Sequence, residues 1–183
     1  MNPSSAAVPG AAAFRFHRAA IRCVTRAASE FVDLTERVLR EVRASGIRDG
    51  FVNVQTRHTT TAVVINENEP LLLDDLREML ERLVPAHGGY RHDCFEVRTV
   101  NLTPGERVNG HAHARAFTLG SSETLNIVGG QVQLGRWQRI LLVELDGGRE
   151  REVSLAVLGI AGPAGLLPEA NEHSIGAESR AGD

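Results

Sequence analysis

Hydrophobic and polar positions along the chain predict several short strands. Alternating or β-branched apolar residues recur in segments of strand length. These segments are residues 12–25, 52–56, 60–65, 95–100, 125–128, 138–145 and 152–158. Glycine pairs at 129–130 and 147–148 separate the last three strands, which therefore follow one another directly.

Three segments show helical spacing instead. Apolar residues from Leu34 to Val42 follow a helix-like start at Asp33, and Gly46 predicts the end of that helix. A second helix is predicted to begin at Pro70 and to end before Pro85. The alanine-rich segment 111–119 predicts a short third helix that ends at Gly120.

Strands therefore outnumber helices, which predicts an α+β fold. We expect a mixed or antiparallel sheet with helices packed on one side, rather than a doubly wound parallel sheet. The 183 residues suit one domain, which we assign to residues 14–162. Residues 1–13 are expected to be a disordered N-terminal segment, and residues 163–183 a flexible C-terminal tail.

Composition narrows the range of partners. The net charge of −3 and the aromatic content of 4% argue against nucleic-acid binding, which needs clustered cations and stacking surfaces. No apolar run has the length of a membrane span, and the first residues lack a secretory pattern. We therefore expect a cytoplasmic protein without nucleic-acid or membrane partners, in which Cys23 and Cys94 are thiols.

Three segments contain candidate chemistry. His58 lies between two predicted strands, and the polar residues 66–69 that follow them suit either ligand contacts or helix capping. His92 beside Asp93 suits a metal ligand, a general base or a surface pair. His111 and His113 would point in nearly opposite directions on a helix, so at most one is expected to face a site. Trp137 is expected to be a core anchor, and the next residue, Gln138, either a strand residue or a ligand contact.

Taken together and in this order, the polar segments resemble the YjbQ-like family, also described as secondary thiamine-phosphate synthase. The segments that match are residues 58–60, 66–68, 90–93, 113–122, 135–138 and 146–149, together with Asp75 and Arg151. Two departures stand out. Arg136 occupies a position where the family usually has threonine, and the stretch 99–110 is longer than in shorter members.

The resemblance implies a YjbQ-like fold that assembles as a homotrimer. It implies that His58, His92 and His113 converge, and three imidazoles suit a divalent metal. Zinc is the expected ion, with magnesium as an alternative; without metal, the rings would hold an anion such as phosphate. Glu67 and Asp93 are the expected catalytic residues, through orientation of a ligating imidazole. The expected ligand-binding residues are Thr59, Asn66, Asn68, Arg115 and Gln138.

The activity that follows from the resemblance is a thiamine-phosphate-synthase type of transfer. It joins hydroxymethylpyrimidine diphosphate to thiazole phosphate, so the expected partner is a small phosphorylated molecule. Two alternatives stay open: a metal-assisted hydrolase or lyase acting on a small phosphorylated molecule, and a non-enzymatic module that binds a metal or small ligand.

Overall fold

The structure, a computed structural model, describes residues 14–162. The expected disordered segment 1–13 and the expected tail 163–183 lie outside the described residues, and both stay predictions.

Eight strands and three helices follow one another along these residues. They are β1 (Phe14–Val24), β2 (Glu30–Asp33), α1 (Thr35–Ser45), β3 (Ile47–Thr56), β4 (Thr61–Glu67), α2 (Pro70–Leu83), α3 (Gly110–Leu119), β5 (Ser122–Val128), β6 (Gln131–Val132), β7 (Gln138–Glu144) and β8 (Glu150–Ala161). A single 3-10 turn, Arg91–Asp93, lies between α2 and α3.

The strands form two antiparallel sheets. The larger has the order β1-β8-β3-β5-β6, and the smaller has the order β2-β7-β4. Every strand pair within them is antiparallel. The α+β class and the antiparallel arrangement are thus confirmed, although the strands divide between two sheets where one was predicted.

The main hydrophobic core lies between the two sheets. Val52 and Val157 on the larger sheet share one buried cluster with Leu142 on the smaller sheet and Val38 on α1. A second cluster joins Val143 on β7 to residues of α2 and α3. Both faces of the smaller sheet are therefore buried, which explains the unbroken apolar run of its central strand, β7.

Local signals set the helix boundaries where the sequence predicted them. The Asp33 side chain accepts a hydrogen bond from the Thr35 N–H at 2.8 Å at the start of α1. Gly46 ends that helix with a φ of 67°, a left-handed conformation that glycine adopts without strain. The Glu69 side chain accepts from the first N–H groups of α2, which begins at Pro70 as predicted.

The predicted strand at residues 95–100 is wrong. The N–H groups of Val97 and Arg98 both donate to the carbonyl of Cys94, at 3.0 and 2.9 Å, so the chain turns there. The Arg98 side chain then holds the loop by donating to Glu106 at 2.5 Å. Two short strands, β2 and β6, with four and two residues, were not predicted from the hydrophobic pattern.

One buried ion pair connects the two sheets. Glu144 at the end of β7 and Arg151 on β8 are 0% and 3% exposed, and both Glu144 oxygens accept from Arg151 at 2.6 Å. Burial alone would raise the pKa of Glu144. Hydrogen bonds from Arg151, the Asp146 N–H and Thr25 outweigh that effect and hold the pKa below its ordinary value of 4.5.

The outer face of the larger sheet is apolar at one end and charged at the other. Phe14, Phe16, Phe51 and Ile160 are 71%, 52%, 44% and 47% exposed at the apolar end. At the other end, Glu152 on β8 forms ion pairs with Arg22 on β1 and with Arg57, the residue that follows β3. No helix within residues 14–162 has both the length and the apolar character needed to cross a membrane.

We expect Glu144→Gln to lower the free energy of unfolding by about 3–5 kcal/mol, because it leaves the buried Arg151 guanidinium without its charge partner. Urea unfolding followed by circular dichroism measures this change. Arg139→Gln is the matched control, since Arg139 is 36% exposed and pairs with Asp33 at the surface. That variant should change stability by no more than about 1 kcal/mol. Equal losses in the two variants would contradict the role of the buried pair.

Candidate functional site

His58 lies in the short loop between β3 and β4. The Oγ1 atoms of Thr56 and Thr61 are 2.5 Å apart beneath this loop, and both threonines are buried. The Glu152 N–H on β8 donates to Nε2 of His58 at 3.1 Å. A nitrogen that accepts a hydrogen bond carries no proton, so the neutral imidazole holds its proton on Nδ1.

The surroundings of His58 favour this neutral form. Burial lowers the pKa of His58 from its ordinary value of 6.5, and the neighbouring Arg151 cation lowers it further. The ring therefore stays neutral near pH 7 and offers one N–H donor.

His92 and His113 lie side by side, with ring centroids 4.5 Å apart. His92 comes from the 3-10 turn and His113 from α3. Arg98 donates to Nε2 of His92 at 2.8 Å, and Glu106 lies 3.6 Å from the same nitrogen. Burial lowers the pKa of His113, and the charge of the neighbouring His92 acts in the same direction.

One cavity of about 390 Å³ has both His58 and His113 in its wall. Its other lining residues come from the β3–β4 loop, from α3 and from the turn that follows α3: Thr59, Thr61, Ala116, Phe117, Gly120 and Ser121. The structure thus brings His58, Thr59 and His113 to one cavity, with His92 against His113.

The fit of a metal ion to these histidines is partial. The His92 and His113 rings are adjacent, but the Arg98 guanidinium already occupies Nε2 of His92 at 2.8 Å. Within residues 14–162, no three His, Cys, Asp or Glu side chains are placed to hold an ion together. Nε2 of His58 is already engaged by the Glu152 N–H. A three-histidine site is therefore not closed within one chain in this arrangement.

Asp93 has a structural contact at the start of α3. Its Oδ1 accepts from the N–H groups of Asn109 and Gly110 at 3.0 and 2.9 Å. Gly110 is required there because a Cβ atom would lie 2.4 Å from the Cβ of Tyr90. This contact positions α3, and thereby His113, relative to the 3-10 turn that contains His92.

Four predicted residues lie at the opposite end of β4 from His58. In the strand register, Asn66 pairs with Arg139 and Glu67 pairs with Gln138. The Asn68 amide donates to Asp33 at 3.3 Å, and the Gln138 side chain accepts from the Gly135 N–H at 2.7 Å. At about 3.3 Å per residue, Glu67 is roughly 20 Å along the strand from Thr61. Within one chain, the structure does not bring Asn66, Glu67, Asn68 or Gln138 to the histidine cavity.

Arg115 and His111 occupy the side of α3 away from the cavity. Arg115 is buried and donates to Glu81 at 2.5 Å and to the Val84 carbonyl at 2.9 Å, so it ties α3 to the end of α2. His111 lies 6.4 Å from the Tyr90 ring, and its Nδ1 is buried without a partner among the described residues. Only His113 of the H-x-H pair faces the cavity, in agreement with the helical spacing.

Trp137 is not a core residue, so that prediction is wrong. The side chain is 60% exposed, and the Arg136 guanidinium lies 4.5 Å from its ring centroid. Both residues lie in the turn that precedes β7, where the chain leaves the sheet. Arg136 therefore stacks on Trp137.

A second cavity of about 490 Å³ lies on the other side of His58. Its wall includes Arg22 from β1 and Arg151 and Glu152 from β8. Sequence analysis missed Arg22 and Glu152, because the pairing of β1 with β8 joins distant segments and no local pattern specifies that register.

Comparisons with known proteins agree with this architecture. The family model described as UPF0047 protein YjbQ-like matches residues 19–160. A UPF0047 protein of Archaeoglobus fulgidus is 43% identical over 70% of this chain and 91% of its own length. A UPF0047 protein of Methanothermobacter thermautotrophicus is 40% identical over 71% of this chain and 83% of its own length.

Solved structures extend the likeness to the fold. A YbjQ-like protein of unknown function from Sulfolobus solfataricus superposes with a TM-score of 0.73 at 30% identity, covering 80% of this chain and 99% of that one. A YjbQ/UPF0047 family protein from Clostridium acetobutylicum gives 0.67 at 33% identity, covering 76% of this chain and 98% of that one. On the family match, the sequence identities and the shared fold, this chain belongs to the UPF0047 YjbQ-like family.

Proposed function

We propose that this protein binds a small phosphorylated molecule beside His58 and transfers an organic group from it, as a thiamine-phosphate-synthase type of transferase. The observation that supports the proposal is the meeting of His58 and His113, from separate parts of the chain, on one cavity that also contains hydroxyl side chains. Titratable groups that converge on a cavity with perturbed pKa values are typical of catalytic sites.

The chemistry of this transfer requires donors near a departing diphosphate. The thiazole ring nitrogen forms a bond to the pyrimidine's methylene carbon as the bond between that carbon and the diphosphate oxygen breaks. Diphosphate leaves with the electron pair, so negative charge develops on that oxygen. The protonated Nδ1 of a neutral His58 is suited to donate a hydrogen bond to it. Arg57 is the arginine of the adjoining loop, whereas Arg115 is committed to Glu81.

A divalent metal, which the resemblance implies, is part of the proposal only at the His92–His113 pair, and its binding requires Arg98 to release Nε2 of His92. Zinc bound there would polarise a phosphate oxygen; magnesium is the alternative. We also propose that the protein is cytoplasmic. The free thiols of Cys23 and Cys94 support this location, because thiols stay reduced in the cytoplasm.

Self-association into a homotrimer is also proposed. The apolar end of the larger sheet's outer face leaves three phenylalanines and Ile160 partly exposed, and no helix within residues 14–162 packs on that face. A second copy of the chain would bury these side chains, as apolar patches on monomeric proteins are usually small.

We expect the purified protein to form thiamine phosphate from the two phosphorylated substrates, and His58→Ala to reduce the rate by about 100-fold or more, because a positioned hydrogen-bond donor to the departing oxygen is lost. Product formation measured by chromatography, with zinc and magnesium each supplied, tests this. His87→Ala is the control, since His87 is an exposed loop residue outside both cavities.

A wild-type protein that forms no product under any of these conditions would exclude the transferase. Hydrolysis of the substrate would favour a hydrolase or lyase, and binding without turnover would favour a binding module.

The pKa of His58 is expected to lie below 6.5, and Arg57→Gln is expected to raise it, because Arg57 is one of the cations that lower it. NMR titration of the imidazole signals measures both values. Since the folded-state pKa is lowered, the unfolded chain binds the proton first, and this group destabilises the fold as the pH drops below 6.5. A pKa above 6.5 in the wild type would contradict the arrangement of His58 with the Glu152 N–H.

We expect light scattering after gel filtration to give about three times the chain mass of 19.8 kDa. Phe51→Asp should dissociate the assembly because it places a charge in the apolar face. Val97→Asp is the matched control, because Val97 is 73% exposed on a loop away from that sheet. A monomeric wild type, or dissociation by both variants, would count against the proposed interface.

A further inference from the structure

We infer that the second cavity, which is lined by the paired ends of β1 and β8 and by His58, binds the phosphate or diphosphate group of the ligand. The inference rests on the proposed function for the class of ligand, and it assigns a separate position and separate residues to the phosphate. The cavity volume of about 490 Å³ lies within the range of small-molecule sites, and His58 lies in its wall as well as in the wall of the first cavity. A ligand can therefore place its phosphate on one side of His58 and its reacting group on the other.

Arg151 and Glu152 are adjacent on β8, so their side chains point to opposite faces of the sheet, and the Arg151 guanidinium lies on the core side with Glu144. The Arg151 side chain is 3% exposed, and its Nε and Nη2 donate to Glu144 at 2.6 Å, with a further bond from Nη2 to Thr60 at 3.2 Å. The Arg151 guanidinium is thus committed to the core, and the donors proposed for the ligand are those of Arg22, Arg57 and His58.

Two exposed arginines pair with the Glu152 carboxylate: Arg22 lines the cavity, and Arg57 lies beside it through its contact with Glu152. Glu152 accepts from Arg22 at 3.2 Å and from Arg57 at 2.7 Å, and the two arginine side chains remain 86% and 68% exposed. Each guanidinium keeps N–H groups that Glu152 does not use. Arginine donors fixed in this way suit the oxygens of a phosphate group, which accept bidentate hydrogen bonds.

His58 and Glu150 complete the charge pattern. His58 contributes the N–H of its neutral ring, because the Glu152 N–H occupies Nε2. Glu144 is matched by Arg151, and Glu152 is matched by two arginines. Glu150 also lines the cavity and forms no ion pair with any residue between 14 and 162, so it opposes an anionic ligand. We therefore expect hydrogen-bond donors to select for a phosphate group, and the negative charge of Glu150 to limit the affinity for that group.

Isothermal titration of the full-length protein with inorganic pyrophosphate, in phosphate-free buffer, tests this inference. We expect Arg22→Gln to weaken binding by about tenfold, the loss typical of one charge-assisted hydrogen bond, and Glu150→Gln to tighten it several-fold. Arg18→Gln is the matched control, since Arg18 lies on the same strand and the same face but outside the cavity. Its affinity for pyrophosphate should equal that of the wild type.

Three results would overturn the phosphate position. Equal weakening by Arg22→Gln and Arg18→Gln would show a general effect of charge. Loss of binding on Thr59→Val, with no effect of Arg22→Gln, would move the phosphate to the first cavity and leave the proposed function intact. Thiamine phosphate formation by a wild type that binds no pyrophosphate would remove this position while the transferase remains.

Discussion

The buried Glu144–Arg151 pair is the interaction on which the rest of the structure depends. Burying a carboxylate costs free energy unless its oxygens accept hydrogen bonds from other groups. Glu144 accepts such bonds from several segments of the chain. Arg151 supplies two bonds, Thr25 supplies one, and the N–H groups of Asp146 and Gly147 supply the others. The pair therefore fixes the β7–β8 loop, the end of β1 and the relation between the two sheets at one point.

The same pair sets the electrostatics of the candidate site. Through Thr60, Arg151 reaches the loop that contains His58, and its charge helps to keep that imidazole neutral. Glu152, the next residue on β8, fixes the proton of His58 through its backbone and gathers two arginines through its side chain. Arg151, which belongs to the buried ion pair, and Glu152, which contacts His58 and two arginines, are thus consecutive residues of β8.

Much of the architecture could be predicted from local sequence, because helix starts and glycine ends are encoded within a few residues. Asp33, Gly46, Pro70 and Gly120 marked boundaries that the structure reproduces. The division into two sheets could not be predicted, since it depends on pairings such as β1 with β8 between the two ends of the described chain. The prediction that Trp137 is buried failed for a related reason. Its large apolar ring favoured burial, but it lies in the turn before β7, where the side chain is exposed. The site was predicted in part, because the resemblance identified His58, His92 and His113, whereas Arg22 and Glu152 became visible only once β1 and β8 were paired.

The short connection between β7 and β8 has a consequence for how the chain folds. Glu144 and Arg151 are close in sequence, whereas Phe14 pairs with Ile160 across almost the whole described chain. Closing a short loop costs far less chain entropy than closing a long one. The link between the sheets can therefore form early, and we expect the N-terminal strand, whose pairing with β8 closes the longest loop, to join the edge of the larger sheet late.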